Sequence, residues 1–134
     1  MSLTESCLVL AIASTAMAVA APSLVRSRET YVLNAAARDV ATRLYAARIH
    51  AITRNRDCRL RVASATSYVV ECENAPWDVI DRVDLTRGMT ITANARPEFH
   101  RRGNVSPTAT ISVWDPAGRV KRIIVNINGR VRIQ

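Results

Sequence analysis

The chain has 134 residues, with 19 basic against 11 acidic side chains and a formal net charge of +8. Aromatic residues make up only 4%, so any core must be built mainly from Val, Ile, Leu and Ala. The two histidines, His50 and His100, have no adjacent carboxylate–nucleophile pattern, and no glycine loop could cradle a phosphate. That inventory speaks against an enzyme, and no cofactor or metal site is expected.

Residues 1–25 form the first element. Residues 6–25 carry no charge; Glu5 stands at one edge and Pro22 near the other. An uncharged run of about 20 residues is long enough to cross a bilayer as a helix. A carboxylate at the mouth of such a helix is costly and marks a candidate functional residue.

The helical pattern continues through residues 26–56. Leu33, Ala37, Val40, Leu44, Ala47 and Ala51 recur at steps of four and three, which is one helix face. Arg38, Thr42, Arg43 and Thr53 fall elsewhere, and neither Gly nor Pro interrupts residues 23–56. Residues 1–54 therefore read as one helix about 80 Å long, apolar all round at first and amphipathic later. Pro22 should bend it or remove one hydrogen bond. A small domain cannot cover such a helix, so its first half must be buried in lipid or against other helices.

From residue 57 to 134 the texture is that of short strands. Candidates are 58–63, 68–73, 79–85, 89–93, 109–114, 119–127 and 130–133, separated by turn signals such as Asp115-Pro116-Ala117-Gly118 and Asn128-Gly129. Residues 94–108 have no apolar rhythm and read as a loop holding His100; His50 is expected on the solvated side of the helix. Ala109, Ile111 and Val113 alternate with Thr110, Ser112 and Trp114. The expected fold class is α+β, a long N-terminal helix packed against a small antiparallel β domain.

Three cysteines are present. Cys7 lies in the apolar run, where a small lipid-compatible residue suffices. A hairpin folded about residue 65 places Cys58 opposite Cys72, within adjustment of disulfide geometry. Buried free thiols are the other reading. Folding in an oxidising compartment favours the disulfide.

The charge is segmented. Of the 19 basic residues only Lys121 is not Arg. Residues 26–61 carry +6, residues 62–95 carry −3 and residues 96–134 carry +6. The basic segments suit either a polyanion such as DNA or the acidic middle of a neighbouring copy. In the closing strand Arg130 and Arg132 are two apart and project from one face. Ile127, Val131 and Ile133 share the other parity and suit a core, unless Asn128-Gly129 turns tightly and shifts the register at Ile127.

The N-terminus resembles mature type IV pilins and pseudopilins. There a peptidase cuts after a Gly, the new first residue is N-methylated, and Glu and Pro occupy the fifth and twenty-second positions. Met1, Leu3, Glu5 and Pro22 match in register; Met1 is then either the processed first residue or an initiator, and the register with Glu5 favours the processed form. Three further segments, RLYAARIHAITRNRDCRLRV, ISVWDPAGRVKRI and NGRVRI, resemble the GspH/FimT type of minor pilin or pseudopilin.

The resemblance implies a structural subunit of a type IV pilus-like or type II secretion pseudopilus filament. Met1, Glu5 and Pro22 would serve assembly, Glu5 by pairing with the N-terminal amine of a neighbouring subunit. Before assembly the chain would sit in the bacterial inner membrane with its C-terminal domain exported. Arg26 and Arg28 oppose that orientation by the positive-inside rule, which a removed basic leader would resolve. The partners implied are other pilin or pseudopilin subunits. The alternative is a minor pilin that binds DNA non-specifically through Arg130 and Arg132. Arg101, Arg102, Arg119, Lys121 and Arg122 would widen that patch. A solvated basic edge or an intersubunit salt-bridge surface is the plainer reading of the same residues.

Overall fold

A computed structural model describes residues 2–134. Met1, the expected processed residue, lies outside the described residues. One helix, α1, spans Leu3–Arg54. It starts where Glu5 makes one half of a capping box with Ser2. The Ser2 N–H donates to Glu5 Oε2 over 2.9 Å, and the Ser2 carbonyl accepts from the Glu5 and Ser6 N–H groups. Such a box satisfies donors that a helix start leaves open. The helix ends where Asn55 takes φ +52° and the Arg56 N–H donates to the Ala51 carbonyl. Asn is one of the few residues that enters this left-handed conformation readily.

The chain divides into two compact units, one ending at Val32 and one starting at Leu33. In the first, every described side chain from Ser2 to Tyr31 is exposed. In the second, Leu33, Ala37, Val40, Ala41, Leu44, Ala47 and Ala51 of α1 are buried. The six positions expected from periodicity are all among them. Ala41 joins because a stripe facing two sheets is wider than one seam.

The β region forms two four-stranded antiparallel sheets. The first comprises β1 (Cys58–Ser64), β2 (Ser67–Glu73), β3 (Trp77–Asp84) and β5 (Glu98–Phe99), in the order β3-β2-β1-β5. The second comprises β4 (Thr90–Ala93), β6 (Ala109–Trp114), β7 (Val120–Val125) and β8 (Val131–Ile133), in the order β4-β6-β7-β8. Tyr68, Leu60 and Phe99 of the first sheet and Ile91, Ile111 and Ile123 of the second are all fully buried and make up the core.

Three expectations need correction. Residues 94–108 are not wholly loop: Glu98 and Phe99 pair with Arg59 and Cys58, and Phe99 is fully buried. A two-residue strand has no periodicity to read. The strand expected over 119–127 ends at Val125, and Ile127 is exposed rather than core. Asn126 and Gly129 close the turn with a backbone bond, Gly129 N–H to the Asn126 carbonyl, which lifts Ile127 out. Ile133 is also exposed: it lies at the end of β8, past Val131, the one buried residue of that strand.

Candidate assembly site

The apolar unit is built for surroundings without water. Leu8, Val9, Leu10, Ile12, Met17 and Val19 are all exposed in the isolated chain. The helix is long and apolar enough to cross a membrane by length and composition. Three of its hydroxyls are satisfied internally: Ser14, Thr15 and Ser23 donate to the carbonyls of Ala11, Ile12 and Ala20. Pro22 lies inside α1 and has no N–H to give the preceding turn. Glu5 is the one carboxylate among residues 2–25, and its bond to the Ser2 N–H holds it at the helix mouth. Sequence reading missed that Ser2-Leu3-Thr4-Glu5 has capping-box spacing.

In the second unit the hairpin register brings Cys58 directly opposite Cys72. The two are disulfide-bonded, with Cα atoms 4.0 Å apart. Close by, a carboxylate oxygen of Asp57, one of Glu98 and a ring nitrogen of His100 lie within 4.8 Å of one another. Sequence spacing did not group them, because the segment around β5 carries two of the three. His100 Nδ1 contacts Asp57 Oδ2 at 3.1 Å, while the Arg101 N–H donates to Asp57 Oδ1 and its guanidinium to Glu73. The arrangement is a polar tie between Asp57, just past the end of α1, and the segment around β5.

Much of the basic charge is consumed internally. Arg59 and Arg61 of β1 both bind Glu71 of β2, and Arg59 also lies 3.9 Å over the Trp77 ring. Burial opposes ionisation of Glu71, but the Arg61 and Arg59 guanidinium groups outweigh it and hold its carboxyl below the usual range. Tyr68 donates to Asp39, which also accepts from Arg43, and Arg43 reaches Asp81 of β3. Burial first, then the bond to Asp39, pushes the Tyr68 phenol well above its ordinary value.

The closing strand is held by α1. The Tyr45 hydroxyl donates to the Val131 carbonyl at 3.1 Å, and Arg48 Nε donates to the Gly103 carbonyl at 3.1 Å. Gly129 has φ +74°, and a Cβ there would collide with the Gly103 carbonyl and the Arg48 guanidinium. Tyr45, Arg48, Asn126, Asn128 and Arg130 line a polar concavity of about 480 Å³.

The seven basic residues singled out in the sequence differ in their partners. Arg130 precedes β8 and lines this concavity, whereas Arg132 pairs with Ile124 on the open face of β7–β8. Arg122 exchanges backbone bonds with Gln134 and so lies diagonally across from Arg132. Arg119 binds Asp115 through Nε at 2.6 Å at the far end of β7. Burial opposes ionisation of Asp115, but the Arg119 N–H and guanidinium outweigh it, so its carboxyl stays below the usual range. Arg101 is tied to Asp57 and Glu73. Arg102, Lys121, Arg122, Arg130 and Arg132 have no carboxylate partner among the described residues.

Residues 36–129, more than half of the chain, match the family described as Type II transport protein GspH. The chain belongs to the GspH family. The family match takes in the buried half of α1 and seven of the eight strands. Among solved structures, this GspH-family chain is similar to the minor pseudopilin EpsH from the type 2 secretion system of Vibrio cholerae. The identity is 16%, the TM-score 0.68, and the alignment covers 76% of this chain and 95% of that one. It is also similar to the type IV minor pilin FimU of Pseudomonas aeruginosa, at 16% identity and TM-score 0.65, covering 79% of this chain and 90% of that one. These likenesses establish the pilin-like α+β fold. No curated protein matches the sequence.

Proposed function

We propose that this GspH-family chain is a subunit of a type IV pilus-like or type II secretion pseudopilus filament. It is stored in the inner membrane with the β domain exported, then assembled through α1. The observation that carries this reading is the uncharged stretch of α1 up to Val25, exposed all round, with the carboxylate of Glu5 at its mouth. Apolar surface of that extent needs lipid or other helices around it. Membership of the GspH family supports helices as the final surroundings. The Cys58–Cys72 disulfide supports export.

Glu5 then exchanges its internal bond to Ser2 for the N-terminal amine of a neighbouring subunit, because a carboxylate buried among helices needs a partner. Pro22 loosens the helix where it must adapt to its neighbours. The test is Glu5→Ala in cells that assemble the filament. The variant should fractionate with the membrane as the unaltered chain does, and its recovery in sheared filaments should fall at least tenfold. Undiminished recovery would sink the role of Glu5. Absence of the unaltered chain from filaments would sink the filament reading.

A second reading is non-specific DNA binding by a minor pilin. It is favoured by Arg122, Arg130 and Arg132, which have no carboxylate partner among the described residues. Such binding should weaken steeply with salt. DNA retention by Arg130→Ala, Arg132→Ala equal to that of the unaltered chain would remove this reading.

A further inference from the structure

Of the four edge strands of the second unit, β3 and β8 differ in chemistry. Both are reached from α1, where Arg43 contacts Asp81 of β3 and Tyr45 contacts Val131 of β8. Helix residues two apart point about 200° away from each other, so the two edges flank α1 on opposite sides.

On the β3 flank lies a groove of about 290 Å³ lined by Ala46, Ala47, Val70 and Ile80 together with Asp39 and Asp81. Arg43 serves both carboxylates, which leaves one negative charge in excess. Asp78 and Asp84 of β3 have no basic partner among the described residues, and Arg82 is the single base on that strand. The apolar side chains of Val79 and Ile80 are about half exposed beside them.

On the β8 flank the turn between β7 and β8 exposes Ile127, at 63% of its surface. The turn is held from within. The Ile127 carbonyl accepts from the Val105 N–H at 2.8 Å, and Gly129 packs against Arg48. A braced apolar apex loses little conformational freedom when it docks. Arg130 follows it without a carboxylate partner among the described residues.

We propose that Ile127 of one copy seats in the groove between α1 and β3 of a second copy, with Arg130 facing the acidic β3 edge. The proposal rests on the filament reading and names the contact between β domains within it. A knob and a groove on opposite flanks of one chain make a heterologous contact, which generates open helical arrays unless its rotation closes. Apolar groups meet apolar groups and the charges are of opposite sign, so the chain itself supplies both halves of the interface.

The test co-expresses an Ile80→Cys chain with an Ile127→Cys chain, both carrying Cys7→Ser, in cells that assemble the filament. Mild oxidation should yield a disulfide-linked dimer at least tenfold above a control in which Thr92→Cys replaces Ile80→Cys. Adding Arg130→Asp to the Ile127→Cys chain should lower the yield severalfold. Recovery of both chains in sheared filaments without the dimer overturns the contact and leaves the filament reading standing. Linkage of the Ile127→Cys chain to a different subunit, or to DNA-bound material only, also overturns it. Loss of both chains from the filaments overturns the contact and the filament reading together.

Discussion

Tyr68 donates its hydroxyl hydrogen to Asp39 Oδ2 over 2.9 Å and so joins β2 to α1 at the centre of the second unit. Asp39 also accepts from Arg43, and Arg43 in turn reaches Asp81 on β3. One short chain of polar contacts therefore ties the helix to two strands, beside a groove that stays open.

Tyr68→Phe removes the hydroxyl and keeps the ring. The expected cost is about 1 kcal/mol, read as a fall in Tm of about 4–8 °C for a unit of this size. The unaltered chain should also lose stability in alkali. Its folded phenol titrates above the unfolded one, so stability is complete below about pH 10 and declines as pH rises beyond it. Thermal melts of the full chain in detergent from about pH 8 to 11 should show that decline around the phenol's ordinary value, and Tyr68→Phe should flatten it.

Glu71 gives the opposite pH dependence. Its folded carboxyl lies below the usual range, so its contribution is present above the unfolded value of about 4.3. That contribution is lost as pH falls through the lower folded value. Glu71→Gln should cost about 1.5–3 kcal/mol at neutral pH, the scale of hydrogen bonds to a charged group. Urea titrations between about pH 3 and 7 should show a shallower acid limb in the variant.

Two turn glycines should respond differently to the same change. Gly118 has φ +84° but open space around a would-be Cβ, so Gly118→Ala should cost about 1 kcal/mol for the left-handed backbone alone. Gly129→Ala adds a collision with the Gly103 backbone carbonyl and should cost more than about 3 kcal/mol. Parallel melts of the two variants, with equal losses as the contrary result, decide the point.

The Cys58–Cys72 bond closes a separation of 14 residues. A loop of that size is worth about 3 kcal/mol by constraining the unfolded chain. Reductant should lower the Tm of the unaltered chain towards that of Cys58→Ser, Cys72→Ser, which should itself ignore reductant.

Local and periodic features are legible along the chain. The buried stripe from Leu33 to Ala51 follows from a 3.6-residue repeat. The pairing of Cys58 with Cys72 follows from the count of residues around a tight turn. The basic closing segment is visible as charge, but its geometry is not. Arg101 and Arg119 are ion-paired. Charge counting cannot see which guanidinium meets a carboxylate from a distant segment.

The amino-acid sequence alone determined that this chain has a long helix, apolar and then amphipathic, followed by a strand-rich region. Hydrophobic period and turn chemistry act over a few residues, so they can be read along the chain. Only the tertiary structure decided that Phe99 joins the core, that Ile127 leaves it, and that Arg48 and Gly103 close over Gly129. Those outcomes depend on the approach of segments tens of residues apart, where close packing and hydrogen-bond satisfaction select one arrangement that no local pattern encodes.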